Sequence, residues 1–445
     1  MTSLWWDTLP ADLAAPLGAP LPGDTDADVA IVGAGYTGLW TAYFLQQIDP
    51  SVRIVLVDAN VAGFGASGRN GGWASAFFPV SLDQLARHSS RDAAVRLQRA
   101  MHAAVDGIGR IAEAEGWDID WAKGGSVEAA RTPLQLERAR KQVHHARDWG
   151  FGPEDLALLS AGETRAHAKA TDTLGGTFTP HCAAMHPARL VRSLARTVVS
   201  RGARLFEHTP ATSIEPGVVR TAHGSVRAPI IVRATEGYTR SLAGERRTLA
   251  PVYSLMIATE PLPAPVWDEI GMPHRETFHD GRNLIIYAQR TADGRLAFGG
   301  RGAPYGYGSR ITTEQDEDPA VHRRVLVLLG GAPRSRRRGP RPVAGARGCA
   351  DHPRLGRPAR GRPRLVGLLR PRAPHGPGLV RRLRRGRRRD VPPWRPHPRR
   401  PHPRAGHRPR PPALGRASLP PLGAGARPLA RGEHRPAPRR PGRRP

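Results

Sequence analysis

The stretch from Asp28 to Gly72, DVAIVGAGYTGLWTAYFLQQIDPSVRIVLVDANVAGFGASGRNGG, limits what the chain can fold into more than any other. It reads as strand, glycine turn, helix, strand, acidic residue and a second glycine-rich loop. Val29 to Val32 is a short apolar run suited to a strand buried on both faces. Gly33, Gly35 and Gly38 follow at GxGxxG spacing, and the helical pattern that Gly38 opens stops near Asp49-Pro50. Val52 to Val57 is the second strand, and Asp58 closes it, 20 residues after Gly38. Gly33 suits the tight turn, Gly35 lets backbone approach a pyrophosphate, and Gly38 lets the helix pack closely on the strand. The helix start offers unpaired N–H groups and a positive dipole end to phosphates. Asp58 is placed to accept hydrogen bonds from a ribose. A glycine turn alone is a common feature of βαβ units. The acid at this distance, between two strands, makes dinucleotide binding the stronger reading.

Gly63-Phe64-Gly65-Ala66-Ser67-Gly68-Arg69-Asn70-Gly71-Gly72 narrows the dinucleotide. This second loop supplies more backbone donors than a nicotinamide cofactor needs there. The arrangement resembles the FAD-dependent oxidoreductases of the D-amino-acid oxidase, glycine oxidase and sarcosine oxidase superfamily, and GASGRNGG is most similar to its gamma-glutamylputrescine oxidase branch. The resemblance covers roughly residues 25 to 320. It implies that Gly33, Ala34, Gly35 and Gly38 hold the FAD pyrophosphate and that Asp58 holds the adenosine ribose. It also implies that Ala66, Ser67, Arg69, Asn70, Gly71 and Gly72 run along the pyrophosphate towards the flavin ring. Asp58 stands where the family more often has Glu, and the shorter acid still reaches a ribose.

Charge has to be divided before it is read. The 445 residues carry a net +30, but 36 of the 68 basic and only three of the 38 acidic residues lie at or after Val321. The tail therefore carries +33 and the first 320 residues −3, so basicity says nothing about the body's partners. The body is long enough for two lobes around a sizeable core. Cys182 and Cys349 are the only cysteines, which excludes a disulfide framework and a cysteine zinc site and points to a reducing, cytoplasmic setting. MTSLWWDTLP lacks the basic and apolar regions of a secretory signal. No apolar run approaches the roughly 18 residues of a membrane span.

Residues 1–27 read as an arm wrapping the surface, pinned by Trp5 and Trp6. Residues 28–80 and 181–250 read as the cofactor domain, and 81–180 with 251–320 as an inserted substrate domain. Met101, Val105, Ile108 and Ile111 form one face of a helix. Thr132-Pro133 opens another, with Leu136, Ala139, Val143, Ala146 and Trp149 as its buried stripe. His144 and His145 on that helix read as surface residues. A third helix runs from His186-Pro187 to Gly202, followed by strands at Arg204–Glu207 and Thr209–Ile214 and a hairpin turning at His223-Gly224. Ile230 to Val232 is a buried strand.

By the same resemblance, backbone at Ala211, Thr235 and Gly237 approaches the dinucleotide. Pro251 to Glu260, Asn283 to Thr291 and Arg295 to Gly300 read as strands of a sheet that resembles the family's roof over the flavin. Tyr287, Arg290 and Arg301 on it are the substrate candidates, because an arginine can hold a carboxylate bidentately. Solvated strand-end charges are the competing reading for both arginines, and Tyr253 is either a sheet residue or a pocket wall.

From Val321 the alphabet changes. The last 125 residues contain 25 Pro and no Ile, Thr, Asn, Gln, Lys, Met, Phe or Tyr. Such a chain buries too little apolar surface to offset the entropy of ordering, so disorder is expected, with at best helical scraps such as 377–389. Two explanations stand: an arginine-rich arm for nucleic acid, or GC-rich DNA read out of frame. The missing residue types and the absence of Phe and Tyr for base stacking favour the second. The expected fold class is α/β, an FAD-binding Rossmann-like domain with an inserted α+β substrate domain and a disordered Arg/Pro-rich tail. What the resemblance implies is oxidation of a C–N bond of a small amine or amino acid, gamma-glutamylputrescine-like or sarcosine-like, by hydride transfer to flavin N5. No acid–base residue is singled out as catalytic, and no metal is expected. A flavin-fold protein with impaired turnover, lacking the family's C-terminal flavin segment, is the alternative.

Overall fold

In the computed structural model, the first sheet assembles around Val29–Val32, which pairs in parallel with Ile230–Arg233 on one side and Ile54–Val57 on the other; Arg204–Phe206 extends it beyond Ile54–Val57. The structure describes residues 3–250, 252, 254–282, 285–301 and 366–367, all within one unit, Met1–Pro374. Strand alternation sorts the core into two layers. Val29, Ile31, Ile54 and Leu56 face the helices Tyr36–Ile48 and Pro187–Ser200, against Leu39, Ala42, Tyr43, Val191, Leu194 and Val198. Ala30, Val32, Val55 and Val57 face the other way, onto Val219 and Val226 of a meander formed by Ala211–Glu215, Val218–Thr221 and Gly224–Arg227. All four residues of Val29–Val32 and of Ile54–Val57 are buried, as the continuous apolar runs require.

The second sheet has eight strands, in the order Val366–Gly367, Ser254–Ala258, Leu296–Arg301, Ile286–Arg290, Thr277–Asp280, Ser126–Ala130, Gly175–Thr179 and Ala157–Ser160. It is antiparallel except where Thr277–Asp280 runs parallel to Ser126–Ala130. One face carries Val127, Ala129, Phe278, Ile286, Ala288 and Phe298, packed on Trp267 and Ile270 of the helix Ala264–Ile270. The strand Thr277–Asp280 has no counterpart in the sequence reading, because three residues of FHD-type text carry no period of their own. Val366–Gly367 brings two residues of the basic tail to the sheet edge beside Ile257–Ala258, where unpaired backbone groups accept any extended segment. The rest of the tail, including 377–389, lies outside the described residues. Among the described residues no helix is long and apolar enough to cross a membrane.

The amino-terminal arm is tied down by charge as well as by tryptophan. Arg192 and Glu207, both fully buried, pair at 3.1 Å. Glu207 also accepts from the N–H groups of Leu17 (2.9 Å), Gly18 (3.4 Å) and Ala62 (2.8 Å). Arg192 donates to the carbonyls of Leu13 (2.8 Å), Ala62 (3.1 Å) and Ala15. Removing one partner leaves an uncompensated buried charge, so Glu207→Ala is expected to cost about 3–5 kcal/mol, read as a lowered urea midpoint. The apolar pair Arg192→Met with Glu207→Leu should recover most of that loss. A Glu207→Ala midpoint equal to that of the parent would refute the role given to the pair.

Candidate functional site

The three glycines of the first turn do different work. Gly33 has φ +109°, and a Cβ there would lie 2.4 Å from the Ala234 carbonyl oxygen. A Cβ on Gly38 would lie 2.0 Å from the Gly33 carbonyl oxygen and 3.1 Å from Ile31 Cγ2, so this position is taken up by helix–strand packing. Gly35, the residue capping the helix Tyr36–Ile48, is different: a Cβ there would approach Ser67 alone, 2.9 Å from its Oγ. Gly35 thus stands directly against Ser67 of the second glycine loop. Ser67 Oγ accepts from the Tyr36 N–H at 2.9 Å, and the Gly63 N–H donates to the Ala34 carbonyl at 3.0 Å. The two loops are laced together at the helix start, where first-turn N–H groups lack helical partners.

Asp58 sits at the end of Ile54–Val57, half-buried, and accepts from the Ala34 N–H at 2.7 Å and the Asn60 N–H at 2.8 Å. Burial pushes its carboxyl above the usual range, against the pull of those two donors. Each carboxylate oxygen keeps a further acceptor position for a sugar hydroxyl.

In the second loop Ala66–Gly68 forms a single tight turn. Asn70 holds the loop's shape: its amide donates to the carbonyls of Ala66 (3.1 Å) and Ser67 (2.9 Å), its side-chain oxygen accepts from Gly72 (2.8 Å), and its carbonyl accepts from Trp5 Nε1 (2.9 Å). Trp5 of the arm therefore belongs to the framework of this loop. Arg69 stacks on Phe64 at 4.5 Å and reaches Tyr238 Oη at 3.5 Å. A Cβ on Gly71 would lie 3.2 Å from the Tyr287 ring, and one on Gly72 would collide with Gln289 Nε2, which donates to the Gly71 carbonyl at 2.7 Å.

Thr235 precedes the turn Glu236–Ser241, its hydroxyl 2.7 Å from that of Thr239, and it follows the Ala234 carbonyl beneath Gly33. Gly237 is buried in that turn. Ala211 opens the meander on the far layer of the first sheet, packed with the Val219 and Val226 cluster.

Pairing register decides the substrate candidates. His279 faces Tyr287 across one strand pair and Glu128 across the next, and Gln289 faces Thr277. Tyr287, Gln289, His279 and Glu128 therefore share the sheet face turned towards Gly71, Gly72 and Trp73. Arg290, three residues after Tyr287, lies on the opposite face and stacks on Trp267 at 4.6 Å. Its expected place at the substrate is corrected by the two-residue period of a strand. Arg301 pairs with Ser254 at the end of its strand. Its side chain and Tyr253 lie outside the described residues.

Trp73, Gln289, His279 and Glu128 had not been singled out. For Gln289 the signal was present, since it alternates with Tyr287 on one strand. For His279 and Glu128 it was absent, because only the parallel pairing of distant strands makes them neighbours. Trp73 Nε1 and Gln289 Oε1 are buried without a hydrogen-bond partner among the described residues, beside Gly71 and Gly72. A ligand with phosphates at the helix start and a polar ring system reaching Gly72 would meet these two atoms.

His102, Asp155 and His181 bring three possible metal-ligand atoms within 4.8 Å. The two rings stack at 3.6 Å with 9° between planes, so their in-plane lone pairs run side by side instead of converging as tetrahedral zinc requires. His181 Nδ1 is buried without a partner among the described residues, whereas a ligating histidine has its second nitrogen held by an outer acceptor. Burial and the neighbouring His181 hold His102 down at about 4, so the His102 ring is neutral at pH 7.

A parallel βαβ unit with a GxGxxG turn, a terminal acid and a second glycine loop under an antiparallel roof defines a dinucleotide-dependent oxidoreductase. The chain belongs to the FAD dependent oxidoreductase (DAO) family, whose model matches residues 28–375, so its cofactor is FAD. It is 31% identical over 329 residues to the probable oxidoreductase OrdL of Rhizobium meliloti, covering 73% of each chain. It is 30% identical over 286 residues to the gamma-glutamylputrescine oxidoreductase of Escherichia coli, covering 63% of this chain and 65% of that one. The fold is similar to that of L-proline dehydrogenase from P. horikoshii, with a TM-score of 0.51 and 16% identity over 63% of this chain and 71% of that one.

Two measurements test this account. Gly38→Ala should cost about 1–3 kcal/mol of stability by overpacking against backbone, whereas Gly35→Val, which displaces only the Ser67 side chain, should cost less stability and lose FAD, read as flavin absorbance per mole of protein. FAD retained in Gly35→Val would exclude close approach of the phosphates to Gly35. His186 and His279 are held by burial at about 3 and about 4, and His102 at about 4. These folded values lie below the ordinary 6.5, so the unfolded chain binds more protons between pH 6.5 and 4. Stability is present above pH 6.5 and should fall as pH drops through that window, and His186→Asn should flatten the fall.

Proposed function

We propose that this chain oxidises a C–N bond of a small amine or amino acid, with a gamma-glutamylputrescine-like or sarcosine-like molecule as substrate. The observation that carries the reading is the meeting of Gly71 and Gly72 with Tyr287 and Gln289, which sets a side-chain-lined sheet face against the end of the cofactor loop. The likeness to the Escherichia coli gamma-glutamylputrescine oxidoreductase supports the amine.

In this proposal the backbone at Gly35 and the Ser67 turn hold the FAD phosphates, Asp58 the ribose, and Ala66, Arg69, Asn70, Gly71 and Gly72 the run towards the ring, with Ala34, Gly33 and Gly38 shaping the turn. Thr235 and Gly237 border the same crevice through the Ala234 carbonyl, and Ala211 approaches it from the far layer. When bound, FAD would supply the two-electron acceptor, its N5 being the place for a hydride equivalent from the carbon beside the substrate nitrogen, and water would hydrolyse the product imine. The protein's contribution is position. Gln289 is anchored by its amide on the Gly71 carbonyl and presents its free oxygen beside the loop. Tyr287 is oriented by the Ser254 hydroxyl at 2.7 Å and walls the face that the substrate meets.

A second reading is favoured by the change of composition at Val321: a flavin-binding protein with impaired turnover. Purified full-length chain decides between them. The oxidase reading expects a yellow protein whose flavin absorbance bleaches when an amine is added without oxygen. Yellow protein that no amine or amino acid bleaches would favour the second reading, and colourless protein would defeat both.

A further inference from the structure

Glu128 and His279 occupy paired positions on the face that carries Tyr287, two strands and one strand away from it respectively. Glu128 Oε2 lies 3.9 Å from His279 Nδ1, and the two side chains are only 17% and 18% exposed. Glu128 accepts no hydrogen bond from any described residue, and burial pushes its carboxyl up. Burial holds His279 neutral at pH 7, so it brings no compensating charge. Arg138 acts on Glu128 at longer range than an ion pair, and Asp280 opposes it. A largely buried carboxylate that no described donor reaches is stabilised when a cation arrives. The surroundings suit one. The His279 ring lies 5.6 Å from Phe77 and 6.1 Å from Trp73, and Trp73 lies 5.9 Å from Tyr287, an aromatic wall running from the cofactor loop to the carboxylate.

We propose that Glu128, walled by Trp73, Phe77 and His279, is a subsite for a second positive charge on the substrate, which makes the substrate class an aliphatic amine bearing another ammonium group. The inference rests on the amine-oxidising reading above and names the substrate end that the reading left open. Spacing supports it. Two strand steps separate Tyr287 from Glu128, roughly 10 Å. A charge-assisted hydrogen bond at Glu128 takes about 3 Å of this. What remains, roughly 7 Å by the same strand spacing, suits a short aliphatic chain. Aromatic faces add attraction for an ammonium group without the desolvation cost of a second carboxylate.

Titration calorimetry of the full-length chain with diaminobutane and with butylamine tests this without relying on turnover. Diaminobutane should bind at least about tenfold more tightly, the worth of one charge-assisted hydrogen bond. Glu128→Gln keeps the volume and should bring the two affinities to within about twofold of each other, and raised salt should shrink the parent's preference. Phe77→Leu, at a half-exposed position tolerant of change, should lower the preference about threefold through the lost aromatic face. Equal affinities in the parent, or a preference that survives in Glu128→Gln, would overturn the subsite. Flavin bleaching separates the two claims. Bleaching by both amines with equal affinity refutes the subsite and leaves the oxidase reading. A diamine preference in calorimetry with no bleaching by any amine refutes the oxidase reading and leaves a cation site.

Discussion

Arg192 and Glu207 are a fully buried ion pair in which both partners find further hydrogen bonds from the backbone, and four parts of the chain meet on it. The arm reaches it through Leu13, Ala15, Leu17 and Gly18, the root of the second glycine loop through Ala62, the helix Pro187–Ser200 through Arg192 itself, and the end of Arg204–Phe206 through Glu207. Desolvating two charges is expensive, and this arrangement stays favourable only because nearly every lone pair and proton is used. The consequence is geometric. Gly63 leaves the pair's neighbourhood at φ +81°, with no room for a Cβ against Val191, so the second loop can depart in one direction only. That direction lays Ser67 across the start of the helix Tyr36–Ile48. Trp5, carried in by the same arm, then caps the loop at Asn70.

The strand–helix–strand unit at the centre of the first sheet was legible because every feature of it is local. Continuous apolar runs, a glycine at each close approach and an acid at a strand end all lie within one stretch, and each follows from backbone sterics. Arg192 was not legible. It sits in an amphipathic helical pattern at a position that reads as tolerating charge, and its partner lies on the following strand with no rule linking the two. Arg290 stood open between a substrate contact and a strand-end charge for a different reason. Its parity with Tyr287 places it on the other face, and the two-residue period was available in the sequence. The strand Thr277–Asp280 went unseen because it exists through parallel pairing with Ser126–Ala130, about 150 residues away in the chain.

The Arg- and Pro-rich tail belongs to a different chemistry from the rest. Its +33 contrasts with the −3 of the first 320 residues, and the family match nevertheless runs past Val321 to residue 375. Val366–Gly367 falls inside that span and touches the roof sheet through backbone hydrogen bonds at Ile257 and Ala258. Pairing of this kind depends on an available edge and an extended segment, and very little on side chains. A strand position can therefore be filled by residues whose composition argues against any folded role.

The groove and the roof above it differ in what builds them, and this explains why one was readable and the other was not. The groove is made of backbone atoms: the Ala34 and Asn60 N–H groups on Asp58, the Tyr36 N–H on Ser67, the Gly71 carbonyl on Gln289. Backbone sites demand residues that permit close approach, so they write themselves into the sequence as glycines at fixed spacing. The roof is made of side chains whose neighbours are set by the register of strands far apart in the chain. Shifting one strand by a single residue would exchange Tyr287 and His279 for Ile286 and Phe278, turning a polar, aromatic face into an apolar one. Substrate choice in this architecture is therefore a property of sheet register, and the buried apolar face of Val127, Phe278 and Phe298 is what holds that register in place.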